Sequence, residues 1–116
     1  EYDKVFENLH NVAFFEIVDK LYARILIGKT YYETCEFEPL LNYIDASLRF
    51  LADNKSISKI RRIPYANFFN SLKKIIYIEE HSDWDSIPLL KKELSHIQNI
   101  ENRKWLLEKL EGLEHS

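Results

Sequence analysis

His10, His81, His96 and His115 are the side chains best suited to general-base or metal-ligand work, and their spacing serves neither. The expectation is that no His-x-x-x-His or Glu-x-x-His pair sets two ligands on one helix face, the four lying in different predicted elements. A Gly-rich phosphate loop, a Gly-x-Ser-x-Gly elbow and a Cys-x-x-Cys pair are all missing from the sequence. The carboxylates Glu79, Glu80, Asp83 and Asp85 read as helix-end and surface groups rather than an acid/base pair. The expectation is therefore a protein that is not an enzyme, with no cofactor and no metal.

Charge is more informative than chemistry. The net charge is −3, yet from Lys55 to Tyr77 the ionised side chains are Lys55, Lys59, Arg61, Arg62, Lys73 and Lys74, with no carboxylate among them. Such a run, beside Tyr65, Phe68 and Phe69, suits an anionic partner, and Lys59, Arg61, Arg62, Lys73 and Lys74 would form a nucleic-acid patch. The competing reading is a solvated helix face that pairs with acids on neighbouring helices while the aromatics form core. The pI of 5.8 favours the second, since nucleic-acid domains are usually basic overall.

The elements that position these residues are helices. Phe14, Val18, Leu21, Tyr22, Ile25, Leu26 and Tyr32 recur at three- and four-residue intervals, as one side of an α-helix requires. The pattern ends at Thr34-Cys35-Glu36. Leu40, Leu41, Ile44, Leu48 and Leu51 restart it, with Pro39 in the first turn, where its missing N–H is not needed. Two helices thus meet at Cys35 to Glu38, and so short a connection predicts an antiparallel hairpin over about residues 12–52.

Gly28, Tyr31, Tyr32 and Phe37, followed by Leu41, Ile44, Ser47 and Leu48, resemble the small, aromatic and aliphatic positions of a tetratricopeptide repeat, a helix-turn-helix unit of 34 residues. The resemblance covers residues 21–52. Three positions depart from the pattern: Arg24 replaces a large aromatic, Leu40 an alanine, and Cys35 the glycine that usually ends the first helix. The family implies stacked hairpins that bury their apolar faces on one another and bind peptides along a concave face.

A second copy is audible downstream. Glu36-Phe37-Glu38 before Pro39-Leu40-Leu41 parallels Asp83-Trp84-Asp85 before Pro88-Leu89-Leu90, with two extra residues in the later copy. Phe68, Phe69, Leu72, Ile75, Ile76 and Ile78 mark the long helix ahead of it, so a second hairpin is expected over about residues 58–98. Ser56 or Ser58 caps that helix, and Pro64 is expected to bend or break it. Trp105, Leu106, Leu107 and Leu110 predict a capping helix over about 101–111 that closes the open apolar face. The whole run also resembles the carboxyl-terminal helical region of large uncharacterised bacterial proteins.

Composition agrees with an all-α short solenoid. A sequence of 116 residues that is 46% hydrophobic and 14% aromatic supplies one core, while two glycines and three prolines leave little for a turn-rich β fold. The absence of Met predicts a fragment of a longer protein, with residues 1–112 as one helical-repeat domain and 113–116 as a cloning remnant. Cys35 alone makes no internal bridge and reads as a small packing residue, compatible with a reducing cytoplasm. Charges such as Asp19, Lys20, Arg24 and Lys29 interrupt the longest apolar runs, so no membrane span is expected.

What remains is recognition by surface. The expected occupant is a protein or peptide, or neighbouring repeats of the parent chain. The candidate contacts are Tyr22, Lys29, Tyr32, Asn67, Asn70 and Lys74, which lie beside the apolar stripes and carry polar tips.

Overall fold

A computed structural model of the chain describes the backbone of residues 2–115 and the side chains of residues 16–115. The described residues form five α-helices and no strand: α1 (Tyr2–Glu33), α2 (Phe37–Asp53), α3 (Lys59–His81), α4 (Ile87–His96) and α5 (Arg103–Glu114), with a 3-10 turn at Trp84–Ser86 before α4. None of these helices is long and apolar enough to cross a membrane. The chain divides into two compact units, residues 1–36 and residues 37–116.

In the first unit, the spacing of Leu21, Ile25, Gly28 and Tyr32 survives as a buried set, whereas Tyr22 and Leu26 of the expected stripe are exposed. Phe14 and His10 lie outside the described side chains. The end of α1 explains how so abrupt a turn is made. Cys35 adopts φ 58°, its N–H reaches the carbonyl of Tyr32 at 3.0 Å, and the Glu36 N–H reaches that of Tyr31 at 2.9 Å. This is a Schellman ending, whose left-handed residue is usually glycine. Cys35 is exposed there, which corrects its reading as a packing residue: the position demands a backbone conformation rather than a side-chain volume. Phe37 and Glu38 already belong to α2, so the turn is shorter than expected.

A left-handed conformation costs an L residue about 1–2 kcal/mol, and glycine returns part of that gain as extra freedom in the unfolded chain. Cys35→Gly should therefore stabilise the protein by about 0.5–1 kcal/mol in urea denaturation. A loss of stability instead would mean that the thiol side chain contributes contacts at the turn.

The second unit is organised around α3. Its residues Tyr65, Phe68, Phe69, Ser71, Leu72, Ile75, Ile76 and Ile78 are buried, an arc wide enough to serve two neighbours, and α3 packs on both α2 and α5. Alpha-helix α2 presents the narrower stripe Leu40, Ile44, Ser47 and Leu51, all buried. On the other flank, Phe68 meets Phe69 edge-on at 5.2 Å between ring centres and lies 6.1 Å from the Trp105 ring of α5. Leu106 and Leu110 of α5 are also buried, and α5 packs in turn against α4, where Ile87, Leu90 and Leu94 face inward.

Capping follows the local chemistry. Ser58 accepts a hydrogen bond from the Arg61 N–H at the start of α3, as anticipated. At its far end Ser82 takes φ 52° and the Asp83 N–H bonds the Ile78 carbonyl at 2.9 Å. Both acid–aromatic–acid motifs thus follow a left-handed, non-glycine residue. Of the two extra residues of the later copy, Ser86 ends the 3-10 turn and Ile87 opens α4.

Pro64 neither ends nor divides α3, one helix from Lys59 to His81, so of the expected bend or break the break does not occur. The missing proline N–H deprives the Ile60 carbonyl of its helical donor, at a residue that is 79% exposed. The Pro64 carbonyl itself receives the Glu101 N–H at 3.1 Å, which ties the α4–α5 connection to the start of α3.

The last helix also runs further than expected. Leu113 and Glu114 form its final turn, and Glu114 joins Glu111 in an ion pair with Lys91 of α4. Bonding to Glu111 and then Glu114 raises the Lys91 pKa, and the same bond, followed by that from His115, lowers the Glu111 pKa. The contribution of Glu111 is present above the unfolded carboxylate range and is lost as pH falls through its lower folded value. That of Lys91 is present below the unfolded lysine range and lost as pH rises through its raised value. Glu111→Gln should accordingly flatten the fall in melting temperature below about pH 4.5. An acid limb identical to that of the parent would show that the pair does not couple to folding.

Candidate functional site

The solvent side of α3 and the near side of α4 border a groove of about 520 Å³, whose lining includes Asn67, Asn70, Lys74, Tyr77, Glu93 and Ile97. A second hollow of about 310 Å³ continues it past Tyr77 to Leu89, Leu90 and Asp83. The Lys74 ammonium crosses between the two helices to Glu93 at 2.7 Å. The Asn67 side-chain amide donates to the Asn99 carbonyl at 2.8 Å, which holds the side chain through its nitrogen. Asn70 is exposed, Tyr77 is 55% exposed and Leu89 is 72% exposed. The groove therefore offers apolar surface at one end and amides in the middle, on a helix whose opposite side is core.

Three of the six candidate contacts, Asn67, Asn70 and Lys74, are brought together here. Tyr22, Lys29 and Tyr32 belong to the other unit. Tyr22 is exposed, Lys29 is half-buried, and Tyr32 retains 8% exposure, so its ring is a packing group with little surface to offer a partner. Sequence reasoning missed Tyr77, Leu89 and Glu93. A signal for Tyr77 existed, because it continues the three-four alternation that begins at Asn67, Asn70 and Lys74.

The basic residues do not share one face. Lys73 pairs with Asp45 of α2 at 3.0 Å, while Lys74 pairs with Glu93 of α4 on the other flank. Arg62 turns back, donating from Nε to the Ile57 carbonyl at 3.0 Å and from Nη2 to the Asn54 carbonyl at 3.2 Å, and thereby braces the α2–α3 connection. Lys59 and Arg61 are exposed near the start of α3.

Two groupings of potential ligands stand out among the described residues. Glu111, Glu114 and His115 offer atoms within 4.8 Å of one another, but the Lys91 ammonium is bonded to both carboxylates and fills the place a cation would take. Glu93 and His96 have Glu-x-x-His spacing, which corrects the expectation that the sequence holds no such pair. Glu93 is engaged by Lys74, and His96 Nδ1 lies 2.7 Å from the Lys92 carbonyl, so the pair does not converge.

Comparison of the chain with protein-family models, with curated proteins and with solved structures finds no match. The reading of function rests on the geometry of the groove.

Proposed function

We propose that this chain is a non-enzymatic interaction module, tetratricopeptide-like in its helix pairs, that recognises a protein segment through the α3–α4 groove. The observation that carries the reading is the convergence of Asn67, Asn70, Lys74 and Tyr77 on one helix side, next to exposed Leu89. Amides there fix the orientation of a bound backbone or side chain, and the tyrosine supplies area at low entropic cost. Support for the repeat-like reading comes from the two turns, where a left-handed residue is followed each time by an acid, an aromatic and an acid.

The test is selection from a displayed peptide library, followed by titration of the enriched peptides. Asn70→Ala combined with Tyr77→Ala should weaken them about tenfold or more with far-ultraviolet circular dichroism unchanged. Peptides that bind the double variant as well as the parent would remove the groove from the account.

A further inference from the structure

Along α3 the residues Ile60, Ile63, Asn67, Asn70, Lys74, Tyr77 and His81 alternate at intervals of three and four, and none of them is buried. This is a heptad seam of the kind that holds coiled helices together. Alpha-helix α3 thus carries two faces: one in the core with α2 and α5, the other open. Ile60 and Ile63 are 79% and 44% exposed, and from Ile60 to Tyr77 the seam extends about 26 Å at the helical rise. Its polar middle sets it apart from a stray apolar patch. Asparagines inside such a seam favour one register, because any other leaves an amide facing carbon.

Charge is distributed along the same helix with a direction. The amino-terminal end is basic, with Lys59, Arg61 and Arg62, and the carboxyl-terminal end is acidic, with Glu79 and Glu80 followed by Asp83 and Asp85. A parallel neighbour would set like ends together. An antiparallel second copy of α3 sets each basic end against an acidic one and opposes the helix dipoles favourably.

We infer that the occupant of the groove is a second copy of this chain, bound antiparallel through α3 about a two-fold axis near Asn67 and Asn70. This deepens the proposed function and rests on it. In that register Ile60 of one copy faces Tyr77 of the other, beside the hollow that reaches Leu89, and Ile63 faces the alkyl stem of Lys74. Asn67 faces Asn70: the amide of Asn67 is already held by the Asn99 carbonyl, so its oxygen accepts from the Asn70 amide. Lys59 flanks Glu80 at the edge. Every one of these contacts occurs twice, as an isologous interface demands.

Sedimentation equilibrium over a wide concentration range tests the inference. The parent chain should show reversible dimer formation, and Ile63→Asp, at an exposed position, should weaken it at least about tenfold with helicity and melting of the dilute protein unchanged. The charge swap tests the direction. Lys59→Glu and Glu80→Lys should each weaken association, and the double variant should recover it. A parent that stays monomeric, or a dimer indifferent to Ile63→Asp and to the swap, overturns the inference. A monomer that still captures selected peptides through Asn70 and Tyr77 would overturn the self-pairing while leaving the groove reading in place. A monomer whose peptides ignore those residues would remove both.

Discussion

Phe68→Ala is expected to cost about 3–5 kcal/mol in urea denaturation, the largest effect of any single truncation considered. Phe68 is fully buried, meets Phe69 edge-on and reaches the Trp105 ring of α5. Removing its ring leaves a cavity between α3 and α5 that main-chain helices cannot collapse to fill, and aromatic pairing is lost in addition to the transfer term. Against a typical total stability of about 5–15 kcal/mol, most of the margin of a small domain disappears. Trp105 fluorescence should change with the packing. Asn70→Ala, two residues away on the opposite side of the helix, should be nearly neutral for stability. A Phe68→Ala cost below about 1 kcal/mol would mean that α3 does not organise the core as described.

Ser47→Leu carries the second large expectation, a loss of about 1–3 kcal/mol by overpacking. Ser47 is fully buried on the stripe of α2, which packs on α3, and the added carbons have no solvent to enter. The neighbouring position supplies the control. Ala46 is exposed on the same helix, so Ala46→Leu adds a larger side chain without displacing anything and should change stability by less than about 0.5 kcal/mol. Equal effects at the two positions would refute the assignment of the α2 face. A small residue in that stripe is also what the tetratricopeptide resemblance anticipates at Ser47.

These two positions illustrate what the sequence made legible. Of the expected α2 stripe, Leu40, Ile44 and Leu51 are buried and Leu41 and Leu48 half-buried, while Phe68, Leu72, Ile75 and Ile76 of α3 are buried as their period requires; the burial of Ser47 does not follow from hydrophobicity. Where α1 ends was equally readable, but the role of Cys35 was not: it stands where glycine was wanted and takes glycine's left-handed conformation with its side chain exposed. Pro64 suggested a break because propensity treats its missing N–H as a defect. The cost depends on the three-dimensional surroundings of the orphaned Ile60 carbonyl, which a one-dimensional pattern does not contain.

The candidate site was less legible, for a related reason. Lys73 and Lys74 are adjacent in sequence, but successive residues on a helix point about 100° apart, so one pairs with Asp45 and the other with Glu93. A basic run in one dimension becomes two separate ion pairs. Lys91 of α4 finds its partners, Glu111 and Glu114, only on α5, some twenty residues away in sequence. Conversely, the outer seam of α3 was hidden because Asn, Lys and His interrupt it, and a search for apolar periodicity weighs only Ile60, Ile63 and Tyr77.

The central claim is that α3 holds the core with one side and recognises protein with the other. Side-chain amide and backbone signals followed by nuclear magnetic resonance test it most directly, during dilution of the protein and during titration with selected peptides. The account predicts that Asn70 and Tyr77 shift in at least one of these experiments while Phe68, Phe69 and Leu72 hold their positions. Shifts centred on α2 or α5 with the outer side of α3 silent would contradict it.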